Sequence, residues 1–296
     1  MISLITTCDP QRFYLLRPFV EHYRAYGVDA FYINLNFDVK YPVDQHAAYL
    51  EQANSILGKL GLSIYSVYVC PFDAMAVRRH HDAIQARIAP HSPWIVSADL
   101  DEFHEFPDEL HALAAFMESH RMDHVRGRFV DRMARSGFPE FSEGMSIWKQ
   151  FPLGTDITRE ILHAYVDKVM LSHSDVALLP GHHFIQSGPT MMPFDGIHPV
   201  HHFKWDATVV PRFKRRLEAD WKKRCPWWIQ SEKGLDWMAR MGVADVFTGL
   251  RVFDFEDDMQ TDDGGPHSSN EKYLWRRSRS ASSISSIDKV MDVPTT

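Results

Sequence analysis

Along the first hundred residues, short continuous runs of apolar and β-branched side chains trade places with longer stretches in which apolar positions recur every three or four residues. Residues 2–7 read as a strand, and Asp9-Pro10 follows as a turn and helix start. Residues 12–26 then place Phe13, Leu16, Phe19, Val20 and Tyr23 at helical spacing, and Gly27 fits a C-terminal stop. The cycle repeats. Residues 30–36 predict a second strand, 44–60 a second helix stopping at Gly61, 62–69 a third strand, 74–88 a third helix and 94–98 a fourth strand. Strands separated by helices of this length predict an α/β fold with a mostly parallel central sheet flanked by helices.

Beyond the fourth strand the pattern predicts a helix over 107–120 and a strand over 123–132. After Met133 the periodicity weakens. Residues 137–148 and 179–203, with dispersed Pro, Gly and aromatic side chains, read as long binding loops. Helices are expected over 210–224, which is rich in Arg and Lys, and over 231–241. From residue 256 the character changes to an acidic run, a Gly-Gly-Pro breaker and a Ser/Arg-rich low-complexity stretch, so 256–296 is expected to be a mostly disordered tail. That leaves residues 1–255 as one catalytic unit, although 296 residues alone suit about two domains.

Composition narrows the function classes. The chain is 45% hydrophobic and 24% charged, as globular domains are, and its net charge of −7 argues against a general nucleic-acid binder. Cys8, Cys70 and Cys225 are too few and too scattered for a disulfide framework or a cysteine-based zinc site, which points to a reducing compartment. The first ten residues carry no basic segment ahead of an apolar one, and no run approaches the ~18 apolar residues of a membrane span. The expectation is a soluble cytoplasmic protein with no transmembrane segment, peripheral membrane contact staying open.

The most informative stretch is Trp94-Ile-Val-Ser-Ala-Asp-Leu-Asp-Glu-Phe103, where an apolar strand delivers two carboxylates to the carboxyl edge of the sheet. In extended backbone Asp99 and Asp101 share a side while Leu100 packs inward. Two converging carboxylates repel unless a cation lies between them, and Mn²⁺ or Mg²⁺ suits them, with substrate phosphate oxygens completing the shell. An Asp-x-Asp pair alone is common on surfaces; its position behind a buried strand is what gives it weight.

With these residues in place, the chain resembles the nucleotide-sugar glycosyltransferases of GT-A fold, in particular the family 2-like group with an Asp-x-Asp-Glu-Phe signature. The resemblance spans about residues 1–225 and includes Tyr26-Gly-Val-Asp-Ala-Phe-Tyr-Ile, Arg78-Arg-His-His, Gly127-Arg-Phe-Val-Asp-Arg, Trp148-Lys-Gln-Phe-Pro, Lys168-Val-Met, Gly181-His-His and His201-His-Phe-Lys-Trp. One departure is the second strand's ending, Asn34-Leu-Asn-Phe-Asp38, in place of the Asp-x-Ser-x-Asp-Gly-Thr string of broader family 2 enzymes. The resemblance implies a Rossmann-like, GT-A-type sheet with a nucleotide-binding half over 1–104 and an irregular acceptor half over 105–255. It implies a nucleoside-diphosphate sugar donor met by Thr6, Asp38, Arg79, Asp99 and Lys204, and a Mn²⁺ or Mg²⁺ ion on Asp99 and Asp101. It further implies transfer, with inversion, to a glycan, lipid-linked or protein acceptor, with no nucleic-acid partner.

Seventeen histidines are an unusual number, and they pair at His80-His81, His182-His183 and His201-His202. His202 is the candidate third metal ligand, since imidazole suits Mn²⁺, and Lys204 beside it suits a diphosphate oxygen. For any single histidine the structural reading, a hydrogen-bonded core or surface residue, comes first. A base is needed to deprotonate the acceptor, and the candidates are Asp131, at a strand end beside Arg132, and Asp195, in a loop near the histidines. An ion pair with Arg132 is the competing reading of Asp131. A non-catalytic nucleotide-sugar or carbohydrate-binding protein, and a nucleotidyltransferase, are the alternatives in the same architecture; the latter would favour a Gly-rich loop where this chain has Thr6-Thr-Cys-Asp-Pro.

Overall fold

The computed structural model describes residues 1–188, 192–224, 227–240, 247 and 250–255, the side chains of 192–197 excepted. The acidic and Ser/Arg-rich tail expected from residue 256, and Cys225, lie outside the described residues.

The first hundred residues form strand β1 (Ile2–Cys8), helix α1 (Leu16–Ala25), β2 (Ala30–Phe37), α2 (His46–Gly58), β3 (Ser66–Val69), α3 (Ala74–Ile88) and β4 (Trp94–Ser97). The four strands pair parallel in the order β3-β2-β1-β4. Local chemistry sets the boundaries. Asp9 accepts a hydrogen bond from the Gln11 N–H at 2.8 Å and Pro10 fixes the next turn, so the segment starts as a 3₁₀ helix over Pro10–Leu15 before α1, where one continuous helix was expected. Gly27, at φ +93°, stops α1 as its position suggested. Asp73 caps α3 by accepting from the Ala76 N–H at 2.9 Å. The edge strand β3 is shorter than the expected 62–69 because the Ile64 N–H is taken by the Asn54 side chain at 2.8 Å rather than by β2.

The rest of the chain adds β5 (Glu102–His104), α4 (Leu110–Ser119), β6 (Met122–Met133), α5 (Ile147–Gln150), β7 (Leu153–Thr155), α6 (Ile157–Glu160), β8 (Asp167–His173), β9 (Ala177–Leu178), β10 (Ile185–Ser187), β11 (Met192–His202), α7 (Val209–Arg216), α8 (Ala219–Arg224), α9 (Trp228–Arg240) and β12 (Val252–Asp254). β8 enters antiparallel between β4 and β6, and β7 and β12 extend the sheet antiparallel beyond β6. The fold is therefore the expected α/β one, Rossmann-like in its first half, with the sheet becoming mixed in the second.

Two expectations need correction. The segment 179–203 is no continuous loop: its second part is β11, parallel to β6 and antiparallel to β5. Pro193, Gly196 and Pro199 break the period-two signal, and register shifts between Met192 and Phe194 and between Phe194 and His198 let the strand tolerate them. The single helix expected over 210–224 is two, α7 and α8, divided at Leu217 and Glu218.

The main core lies between the sheet and α1, with Leu16, Phe19, Val20 and Tyr23 fully buried against Phe103 and Phe203. A second cluster of Trp205, Val209, Phe213 and Trp237 fastens α7 and α9 to the end of β11. At Gly127, β6 is packed closely against its neighbours β8 and β11. A Cβ there would meet the Met170 Sδ at 2.2 Å and the His198 carbonyl oxygen at 2.7 Å. Gly127→Ala is therefore expected to lower stability by about 1–3 kcal/mol, read as an earlier urea midpoint; an unchanged midpoint would show that β11 is free to shift.

Candidate active site

The carboxyl ends of β1 and β4 open into a cavity of about 300 Å³. Thr7, Cys8 and Asp9 line it from the end of β1, Asp99 to Glu102 from the turn after β4, Lys168 from β8, His182 and His183 from the turn before β10, His202 and Lys204 from the end of β11, and Arg212 and Arg216 from α7.

The turn after β4 is held by its own chemistry. Leu100 is buried, the Glu102 N–H donates to the Asp99 carbonyl at 2.9 Å, and the Glu102 carboxylate accepts from the Asp99 N–H at 3.2 Å. Asp99 and Asp101 share the cavity as expected, but through this turn rather than through extended backbone. Half of the Asp99 side chain is open, and the desolvating wall together with the Glu102 charge pushes its pKa up to about 7. Asp101 is opposite in sense. Burial works against its ionisation, but Arg12 Nη2 at 3.0 Å and His202 Nε2 at 3.5 Å hold its carboxyl well below the usual range. Glu102, almost fully buried, pairs with Lys168 Nζ at 2.7 Å; burial works against its ionisation, but Lys168 together with His104 and His202 brings it down to about 2. Lys168 also donates to the Gly181 carbonyl at 2.6 Å and stands 3.6 Å from Asp99.

His202 lies flat against Phe129, ring centres 4.4 Å apart, with Nε2 toward Asp101 and Nδ1 3.3 Å from Asp131. Asp131 does not reach the cavity. It is fully buried, and its carboxylate accepts from the Thr158 N–H at 2.5 Å, the Thr158 hydroxyl at 2.7 Å and the Trp205 indole N–H at 2.8 Å. That engagement, and not an ion pair with Arg132, is what occupies it: Arg132 donates to the Phe151 carbonyl at 2.9 Å. Lys204 donates to the Thr158 hydroxyl at 3.3 Å, and burial brings its pKa down to about 8.

The histidine pairs divide by strand and helix phase. His202 faces the cavity while its neighbour His201 turns away to Glu105, 2.8 Å from Nε2, and to Trp148. His81 is buried, hydrogen-bonded to the Thr7 hydroxyl at 2.8 Å and stacked on His182 with ring centres 5.7 Å apart. His182 holds φ +58°, beside Gly181 at φ +79°, so this turn is kept in the left-handed region where it meets Lys168.

Of the residues expected at the donor or metal, Asp99, Asp101, His202 and Lys204 line the cavity. Thr6 is buried one residue out of phase, and Thr7 occupies the wall instead. Arg79 is exposed while Arg78, one step round α3, reaches the cavity. Asp38 is spent on the Val39 N–H at 2.7 Å. Asp195 falls within β11, and its side chain lies outside the described residues.

Residues that sequence reasoning left unassigned include Arg12, Glu102, Thr158 and Lys168. Lys168 carried a usable signal, a lysine leading the apolar run Val169-Met170-Leu171, where burial demands a partner. A second signal emerges only in three dimensions. Arg12, Arg78 and Arg212 each bring a guanidinium to the cavity, and in each the Nη1 is buried with no hydrogen-bond partner. Buried donors left this way are costly unless an acceptor arrives.

No protein-family model and no curated protein matches this chain. Solved structures do. A crystal structure of S. aureus TarS 1-349 aligns with a TM-score of 0.35 at 10% identity, over 81% of this chain and 73% of that one. The 4-diphosphocytidyl-2C-methyl-D-erythritol synthase from Anaerococcus prevotii aligns at 0.28 with 14% identity over 59% and 70%, and a UDP-glucose pyrophosphorylase complexed with UDP-glucose at 0.24 with 13% identity over 52% and 67%.

Proposed function

We propose that the cavity binds a nucleoside-diphosphate sugar and transfers its sugar to an acceptor hydroxyl of a glycan, lipid-linked or protein substrate. The observation that carries this reading is the set of three guanidinium groups, Arg12, Arg78 and Arg212, with buried and unpartnered Nη1 donors around one cavity that also holds the Asp99 and Asp101 carboxylates. Guanidinium donors suit phosphate oxygens.

The acceptor oxygen forms a bond to the anomeric carbon as the bond from that carbon to the diphosphate breaks. The electron pair leaves with the nucleoside diphosphate, and the acceptor proton passes to a base. Lys168 and Lys204 neutralise the departing charge. Asp131 acts one step removed, holding His202 and Thr158 in place. Phe72 and Trp227 add apolar surface to the cavity wall.

The carboxylates suit a hard divalent ion in one respect: desolvation, with the Glu102 and Asp101 charges beside it, disfavours ionised Asp99, and a cation would offset that. Among the described residues no three His, Cys, Asp or Glu side chains are grouped to hold an ion by themselves, so donor phosphate oxygens would have to complete the shell. Asp99 and the free oxygen of Asp101 would hold Mn²⁺ or Mg²⁺, and the ion would supply Lewis-acid stabilisation of the diphosphate. His202, with its nitrogens directed at Asp101 and Asp131, would have to release one of them to join.

Titration with UDP and GDP, with and without Mn²⁺, tests the reading directly. Arg212→Ala is expected to weaken the preferred nucleoside diphosphate by about tenfold to a hundredfold, as loss of a charged hydrogen bond does. Unchanged affinity would remove the diphosphate from this cavity. Panels of nucleotide sugars, and of nucleoside triphosphates with sugar phosphates, then separate the enzyme classes: sugar transfer or hydrolysis of a nucleotide sugar releases a nucleoside diphosphate, nucleotidyl transfer from a triphosphate to a sugar phosphate releases pyrophosphate, and a binding protein releases neither.

A further inference from the structure

The rim of the cavity carries a charge opposite to that of the chain. Within residues 209–224, covering α7 and α8, seven of sixteen residues are Arg or Lys and two are acidic, in a protein whose net charge is −7. Arg212 and Arg216 point into the cavity. Lys214 and Lys223 face outward, Lys223 being 77% exposed.

This basic segment is joined to two loops at the carboxyl edge of the sheet. Arg224 Nη1 donates to the Phe72 carbonyl at 3.1 Å, and Phe72 stacks on Trp221 with ring centres 5.6 Å apart. The charge of Arg215 on α7 is felt at Lys40 and Tyr41 in the loop after β2. The loop after β2, the end of β3 and the starts of α3 and α9 expose large aliphatic side chains: Val39 at 70%, Val43 at 80%, Val69, Met75 and Ile229. A face that combines lysines and arginines with protruding aliphatic residues matches a bilayer surface, where cations meet anionic headgroups and short apolar side chains enter the interface. It matches a nucleic acid less well, because the aromatic rings here are packed on one another and the exposed apolar residues cannot stack.

We infer that this rim docks on an anionic lipid bilayer, setting the cavity mouth against the membrane surface. The docking we infer is peripheral; among the described residues no helix is long and apolar enough to cross a membrane. The inference is independent of the donor chemistry proposed above.

Co-sedimentation of the full chain with phosphatidylcholine vesicles, and with the same vesicles containing about one-third phosphatidylglycerol, is the test. The expected result is sedimentation with the anionic vesicles alone, released by raising the salt. Lys214→Glu with Lys223→Glu is expected to weaken the partition by about tenfold or more, and because these side chains are outside the cavity, nucleoside-diphosphate binding stays as it was. Val39→Ser with Val43→Ser is expected to weaken vesicle binding severalfold while sparing retention on heparin, which separates a bilayer from a mere polyanion. The inference is overturned if the native chain stays in the supernatant with both vesicles, if the charge reversals leave partition unchanged so that another part of the chain is responsible, or if the valine substitutions are without effect.

Discussion

Lys168→Met is expected to destabilise the protein by about 3–5 kcal/mol, the usual consequence of removing one partner from a buried ion pair. Lys168 and Glu102 are both almost fully buried and 2.7 Å apart, and the same ammonium group holds the Gly181 carbonyl and faces Asp99. Without it, Glu102 must either stay charged without compensation or take up a proton, and the turn at Gly181 and His182 loses its tether. Urea denaturation at neutral pH measures the loss. Adding Glu102→Gln is expected to return part of it, since the second substitution removes the stranded charge. A single variant as stable as the native chain would show that Glu102 is neutral in the fold and that the ion pair carries little.

Asp99→Asn is expected to lower turnover of the accepted nucleotide sugar by about a hundredfold to a thousandfold, the scale of losing one electrostatic group at a reacting centre. The half-open Asp99 touches few protein groups, so its replacement leaves the fold intact, and thermal melting serves as the control. Asp101→Asn differs in kind. It frees Arg12 and His202 from their shared carboxylate and is expected to change donor affinity as well as turnover. If both asparagine variants turn over like the native chain, the carboxylate pair has no part in the chemistry and the proposed transferase reading fails.

Much of the fold could be read from periodicity because each early element signals itself locally. The third helix was expected over 74–88 and α3 spans Ala74–Ile88, because Asp73 caps its start and the apolar spacing continues to its end. Where proline and glycine interrupt a strand, as in β11, the local signal fails although pairing with β6 is extensive. The site divides in the same way. Asp99 and Asp101 were legible since they follow a buried strand. Thr7 rather than Thr6, and Arg78 rather than Arg79, turn on a one-residue phase that sequence pattern fixes poorly. Glu102, Lys168 and Arg12 owe their importance to partners between 60 and 90 positions away, which only the sheet brings together.

β11 also has a bearing on when the site can exist during folding. β1, β2 and β3 pair through connections of ordinary βαβ length and β4 closes back onto β1 within the first hundred residues, whereas His202 ends, and Lys204 follows, a strand that pairs with β6 in the second half of the chain. On a ribosome, the first half of the sheet is free to assemble while Lys168, Lys204, Arg212 and Arg216 of the cavity wall are still unsynthesised. The clustered carboxylates of the Asp99 turn thus wait, uncompensated by Lys168 or His202, until the second half of the chain arrives.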